Sequence, residues 1–173
     1  MYGATPFQTI GPYWHLIEHP EFADLTRFGA PGEKLTLAGT VTDGDGAPAP
    51  GICVELWQAS PPASDTFPGY GRSNTDATGS YRFTTIKPGP VPGRGNTMQA
   101  PHFALNILGR GILTRLYTRA YFADEKFNDA DPLLNAIEDP ARRATLIAHP
   151  AGPATWRMDI RIQGDGETVF IDV

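Results

Sequence analysis

From Lys34 to Thr42 the chain alternates Leu35, Leu37, Gly39 and Val41 against Thr36, Ala38, Thr40 and Thr42. That period of two fits a half-buried strand and no helix. The same texture recurs in short pieces separated by turns. Gly51 to Ala59 is a second strand, and Ser80 to Thr85 a third, with Tyr81, Phe83 and Thr85 on one face. Pro101 to Phe122 supplies two adjacent strands, 101 to 108 and 112 to 122, joined at Gly109-Arg110-Gly111. Thr155 to Gln163 and Glu167 to Val173 complete a hairpin around Gly164-Asp165-Gly166. At least seven short strands with turns between them predict an all-β fold, an antiparallel β-sandwich of transthyretin (prealbumin) type.

Two helical candidates interrupt the strands, Asp131 to Ile137 and Asp139 to Ala148. The second has Asp139 at the N-cap and Pro140 at the first helical position. Residues 1–33 lack any sustained period and are broken by Pro6, Pro12, Pro20 and Pro31. They read as an irregular N-terminal arm ahead of a sandwich at 34–173, the whole 1–173 forming one domain. Tyr2 to Trp14 could reach about 40 Å if extended at ~3.3 Å per residue. Its aromatic content (Tyr2, Phe7, Tyr13, Trp14) requires a surface to pack on, in its own domain or a neighbour.

Hydrophobic residues are 40% and charged residues 19% of the 173, which predicts a globular chain with a real core. The net charge is -5, and the first 71 residues hold eight acidic side chains against Arg27 and Lys34. A protein tracking phosphates needs the opposite balance, so no nucleic acid is expected. The single Cys53 sits in an apolar run and reads as a buried small hydrophobe. With no disulfide framework, no secretory pattern at the N-terminus and no apolar run of ~20 residues, no membrane association and a cytoplasmic location are expected.

Self-sufficient chemistry is hard to find. Asp43-Gly-Asp-Gly46 superficially resembles a calcium loop but lacks the further oxygen ligands, and reads as a turn. His15 and His19 are four apart, a ligand pair only on a helix, and His19-Pro20 argues against one. His149, before Pro150, reads as a solvated loop residue. No nucleophile elbow, phosphate loop or dinucleotide fingerprint is present.

Longer motifs are more informative. Trp57-Gln58-Ala59, Gly71-Arg72-Ser73-Asn74-Thr75-Asp76 and Gly79 through Lys87-Pro88-Gly89-Pro90 resemble the intradiol ring-cleavage dioxygenases. The likeness extends to Thr5 through Tyr13, to Arg142 through Ala148, to Met158 through Gly164 and to Gly166 through Phe170. In that family two tyrosines and two histidines bind Fe(III), and the metal opens a catechol ring between its hydroxyl carbons with O₂. Carried over residue by residue, the metal site is incomplete. The tyrosine after Lys-Pro-Gly-Pro is Val91, the first histidine is kept as His102, and the second falls on Ala104. Ser60 to Thr66 contains no tyrosine, and Tyr70 comes too late in the loop.

The resemblance therefore implies a chain without metal or catalytic residues of its own. It would complete the substrate pocket of an iron-bearing β chain in a hetero-oligomer of repeated pairs. There Fe(III) sits on the partner, protocatechuate is cleaved by O₂ to 3-carboxy-cis,cis-muconate, and aromatic degradation proceeds by the β-ketoadipate route. The resemblance places Arg110 in that pocket, with Thr9, Gly11, Pro12 and Tyr13 from the arm lining it. From the residues alone, an arginine in a Gly-Arg-Gly turn is ordinarily a solvated one; the pocket role rests on the resemblance, and a guanidinium fork suits a carboxylate. Arg94, Arg115 and Arg119 are left without a role, and His102 as a hydrogen-bonded remnant. The alternative is a transthyretin-like binding or scaffold sandwich without activity.

Overall fold

The computed structural model describes Gly3 and residues 8–172, so the expected packing of Tyr2 and Phe7 and the last residue of the expected final strand, Val173, lie outside the described residues. The alternating stretch forms β1 (Lys34–Thr42), with Leu35, Leu37 and Val41 buried. Next come β2 (Cys53–Trp57), β3 (Tyr70–Asn74), β4 (Ser80–Ile86), a small hairpin of β5 (Val91–Pro92) and β6 (Met98–Gln99), then β7 (His102–Leu108) and β8 (Leu116–Phe122). Helices α1 (Pro132–Ala136) and α2 (Pro140–Ala144) precede β9 (Ile147–Gly152), β10 (Thr155–Arg157) and β11 (Ile160–Arg161). α2 begins as expected, with Asp139 capping it and Pro140 at the first position, but ends at Ala144 instead of reaching Ala148, where β9 already runs; Asp131 and Pro132 start α1 in the same way.

The all-β character holds, but the antiparallel transthyretin-like sandwich does not form. Nine strands make one mixed sheet, running from β4 through β1, β10 with β11, β9, β8, β7 and β2 to β3. β1 pairs in parallel with β10 and β11, and β8 in parallel with β9. Parallel neighbours need a crossover of a dozen or more residues. The segment holding α1 and α2 is that crossover between β8 and β9, so the helical pieces set the strand direction. The expected terminal hairpin is also replaced. Its first arm becomes the parallel partner of β1, and residues 167–172 lie beside β8 without strand pairing, Ile171 N–H donating to Tyr117 O. Gly39 allows this approach, since a Cβ there would lie 1.8 Å from Met158 O.

The sheet curls almost shut, with β4 and β3 at its two ends. Arg82 N–H of β4 donates to Ser73 Oγ of β3 across the gap. The arm covers that seam: Leu25 N–H donates to Thr84 O, and Leu25, fully buried, meets Gly71 of β3. Inside the curl lie Leu37, Val54, Leu56, Phe83, Phe103, Leu105, Ile107 and Phe122. A smaller cluster of Ala100, Tyr121, Leu134 and Leu146 fills the space under α1. Successive strand residues point to opposite faces. With Phe103, Leu105 and Ile107 inward, His102, Ala104 and Asn106 of β7 look outward, beside Trp57 and Glu55 of β2 and Tyr117, Arg119 and Tyr121 of β8.

Candidate functional site

Two cavities open on this outer face, at opposite ends of β7. The first lies past its C-terminal end, where Gly109-Arg110-Gly111 turns towards β8. Gly111 takes φ 86°, a left-handed conformation that glycine adopts without strain. Arg110 at the tip is exposed and has no hydrogen bond or ion pair among the described residues. The arm reaches it: Thr9 Oγ1 donates to Gly109 O at 2.8 Å and accepts from Gly111 N–H at 3.1 Å. Gly11, Pro12 and Arg110 then line one cavity of ≈ 370 Å³, together with Trp14, His15, Gly51, Ile52 and Asn74.

Four of the five residues expected at a substrate pocket thus meet here, and Tyr13 stands apart at 71% exposed. What sequence reasoning missed is Trp14. It is buried, and its Nε1–H donates to Gly51 O at 2.9 Å, anchoring the arm to the start of β2. A lone tryptophan in an aperiodic stretch signals a buried anchor, though not its partner. His15 forms no metal pair with His19. Its Nδ1 lies 2.9 Å from Pro12 O, and His19 pairs with Glu21 at 3.5 Å.

The second cavity, ≈ 340 Å³, lies at the N-terminal end of β7, lined by Trp57, Gln58, Ala59, Ser60, Gly89, Val91, His102 and Ala104. The three positions matched to metal ligands do converge, but their donors do not fit Fe(III). Val91 and Ala104 offer no ligand atom. His102 Nδ1 is 2.7 Å from Ala100 O, which leaves Nε2 as the one imidazole donor. Burial first, then the Arg119 charge, holds its pKa below the ordinary histidine value, so the ring stays neutral. No cluster of three or more His, Cys, Asp or Glu suited to a metal occurs among the described residues. Tyr70 is also engaged elsewhere: its hydroxyl donates to Glu55 at 2.7 Å and its ring packs on Trp57 with centroids 4.2 Å apart.

The outer face between the cavities is polar and tied together. Asn106 Nδ2 donates to Glu55, and Arg119 donates to Gln99 Oε1 at 2.7 Å and to the Tyr121 hydroxyl at 3.1 Å. The Tyr121 hydroxyl donates to Asp131, whose carboxylate also accepts Ala100, Leu133 and Leu134 N–H. Cys53 is buried and its thiol pKa is pushed up to about 12, chiefly by that burial, which makes it an inert core side chain.

Comparison with known proteins agrees with this frame. The Dioxygenase family model matches residues 13–164. The chain is 40% identical to the protocatechuate 3,4-dioxygenase alpha chain of Pseudomonas putida, over 97% of this chain and 96% of that one. It is 32% identical to the protocatechuate 3,4-dioxygenase beta chain of Burkholderia cepacia, over 97% of this chain and 78% of that one. Among solved structures, the dioxygenase domain of a dioxygenase carbohydrate-binding protein fusion from Streptomyces sp. SirexAA-E superimposes with a TM-score of 0.64 at 30% identity, covering 94% of this chain and 99% of that one. The chain belongs to the intradiol ring-cleavage dioxygenase family, as a subunit of the alpha-chain type.

Proposed function

We propose that this chain is the iron-free subunit of a protocatechuate 3,4-dioxygenase and that it furnishes one wall of the active site of an iron-bearing β chain. The observation that supports this reading is the separation of two sets of residues along β7. Where the family's metal ligands would stand, the side chains are Val91, His102 and Ala104, which cannot hold Fe(III). At the other end, Arg110, with no hydrogen bond or ion pair among the described residues, is presented by a turn that the arm ties down. Arg110 lies six positions on from Ala104, at most about 20 Å at ~3.3 Å per residue, and lines a different cavity at the other end of the strand.

Iron bound to the partner supplies the ring-opening chemistry with O₂. The task of this chain is recognition: Arg110 meets the substrate carboxylate, and Gly11 and Pro12 shape the cleft around it. The guanidinium fork matches a carboxylate bidentately, and such a charge-assisted contact contributes about 1.5–3 kcal/mol. The product is 3-carboxy-cis,cis-muconate, within the β-ketoadipate route of aromatic catabolism, in the cytoplasm. Among the described residues no helix is long and apolar enough to cross a membrane.

Co-expression tests the reading. With a β chain, the expected product is a coloured iron-containing hetero-oligomer that cleaves protocatechuate, with the iron lost when the β chain's ligands are removed. A colourless homo-oligomer that ignores the β chain would instead mark a scaffold without activity. Iron copurifying with this chain alone would overturn the proposal.

A further inference from the structure

Arg94 and Arg119 are given no task by the Arg110 pocket, and the structure brings both to a third cavity. We propose that this cavity, ≈ 490 Å³ between the β5–β6 hairpin and α1, binds a small carboxylate with an apolar body. Its polar wall is Arg94, Thr97, Gln99 and Arg119, its apolar wall Leu133 and Ala136, and no acidic residue lines it.

Arg119 leaves β8 directly opposite Ala104 and is only partly exposed. Its recorded acceptors are neutral: Gln99 Oε1, the Tyr121 hydroxyl and, at 3.4 Å, the Tyr117 hydroxyl. Neutral acceptors satisfy N–H groups without cancelling the charge. Asp131 is reached only through the Tyr121 hydroxyl and forms no ion pair with Arg119; its carboxylate already accepts from four donors. Arg119 Nη2 has no partner among the described residues, and the Arg94 side chain has none either. Two guanidinium groups therefore face one cavity without a counter-charge, in a chain whose net charge is -5.

A partly desolvated cation gains most from an anion that also fills its hydrogen-bonding fork. A carboxylate does both. The opposite wall selects the rest of the ligand: a ring or short alkyl group would cover Leu133 and Ala136, which a bare sulfate would leave wet. The site stands on Arg94 and Arg119 whether or not Arg110 serves a partner.

Equilibrium dialysis of labelled benzoate against the assembled complex tests it, in an Arg110→Ala background that weakens binding at the other arginine. Benzoate is expected to saturate one site per copy of this chain that depends on both arginines. Arg94→Ala and Arg119→Gln should each weaken that site tenfold or more. If Arg119→Gln prevents assembly, Arg94→Ala decides, because that side chain is exposed and makes no bond among the described residues. Benzoate binding unchanged by Arg94→Ala, or sulfate competing as well as toluate does, overturns the proposal.

Discussion

Thr9 Oγ1 bridges the two peptides that flank Arg110, donating to Gly109 O and accepting from Gly111 N–H across a hundred residues of sequence. It therefore acts on the arginine's position more than on any ligand. Thr9→Val keeps the shape and removes both bonds, a loss of about 1 kcal/mol of net hydrogen bonding. In the assembled enzyme, KM for protocatechuate should rise about three- to tenfold with kcat little changed, and Thr9→Ser should restore it. Equal kinetics for the Val and Ser variants would show that the bridge positions nothing.

Arg110 itself is tested by selectivity. Arg110→Ala should raise KM for protocatechuate about ten- to a hundredfold, the range a charge-assisted contact spans. Catechol, which has no carboxylate, should be handled as before. Arg110→Lys should recover part of the loss, since it keeps the charge but not the fork. Steady-state kinetics on the two substrates separate recognition from a general defect, which would slow both alike.

Asp131 holds a structural junction. It is fully buried and accepts from Ala100 N–H, the Tyr121 hydroxyl and the first turn of α1. Asp131→Ala leaves several buried donors unpaired, at about 1–3 kcal/mol each before relaxation. A loss of about 3 kcal/mol or more is expected in urea unfolding of the complex.

His102 predicts a pH response of definite sign. Burial and the Arg119 charge lower its pKa below 6.5 in the fold, so the unfolded chain takes up a proton first. The stability due to its neutral form is complete above pH 6.5 and is lost as pH falls through the folded pKa. Denaturant midpoints measured downwards from pH 7.5 should fall in that window, and His102→Gln should flatten the fall. The lowered carboxyls of Asp76 and Asp159 act in a separate window, below their ordinary value of 3.8.

Gly39 fixes the parallel arrangement. A methyl group there would meet Met158 O at 1.8 Å and the Tyr81 ring at 2.9 Å, and both are held in place. Gly39→Ala should cost at least about 3 kcal/mol. Recovery of soluble, folded chain at wild-type yield and melting temperature would contradict it.

The strands were legible where one face alone is buried. β1 was bounded to the residue by its alternation, and the capped start of α2 by Asp139-Pro140. Tyr70 to Arg72, the first part of β3, was read as the end of a loop, because Tyr-Gly-Arg carries no apolar alternation; its inward positions are Gly71, against which the arm packs, and Ser73, which accepts from Arg82 N–H of β4. Strand direction was misjudged for a related reason. Period and turn residues are local, whereas the pairing of β1 with β10 joins segments more than a hundred residues apart. The incomplete metal frame was visible in Val91 and Ala104, and the cavity they share with His102 has the composition those residues imply. The seating of the arm by Trp14 and Thr9 depends on contacts with Gly51 and Gly109 that no periodicity announces.

The two ends of β7 have one further consequence. A strand held in a sheet by neighbours on both sides is stiff, so side chains at its ends can change independently. Substitutions at one end can abolish metal chemistry while the turn at the other keeps its geometry. In a pair of such chains, one copy can become a dedicated reader of substrate and the other its reactor. Under the proposed function, such an assembly would need iron in only one of every two copies of the fold, and selection for metal and for carboxylate would act on different chains.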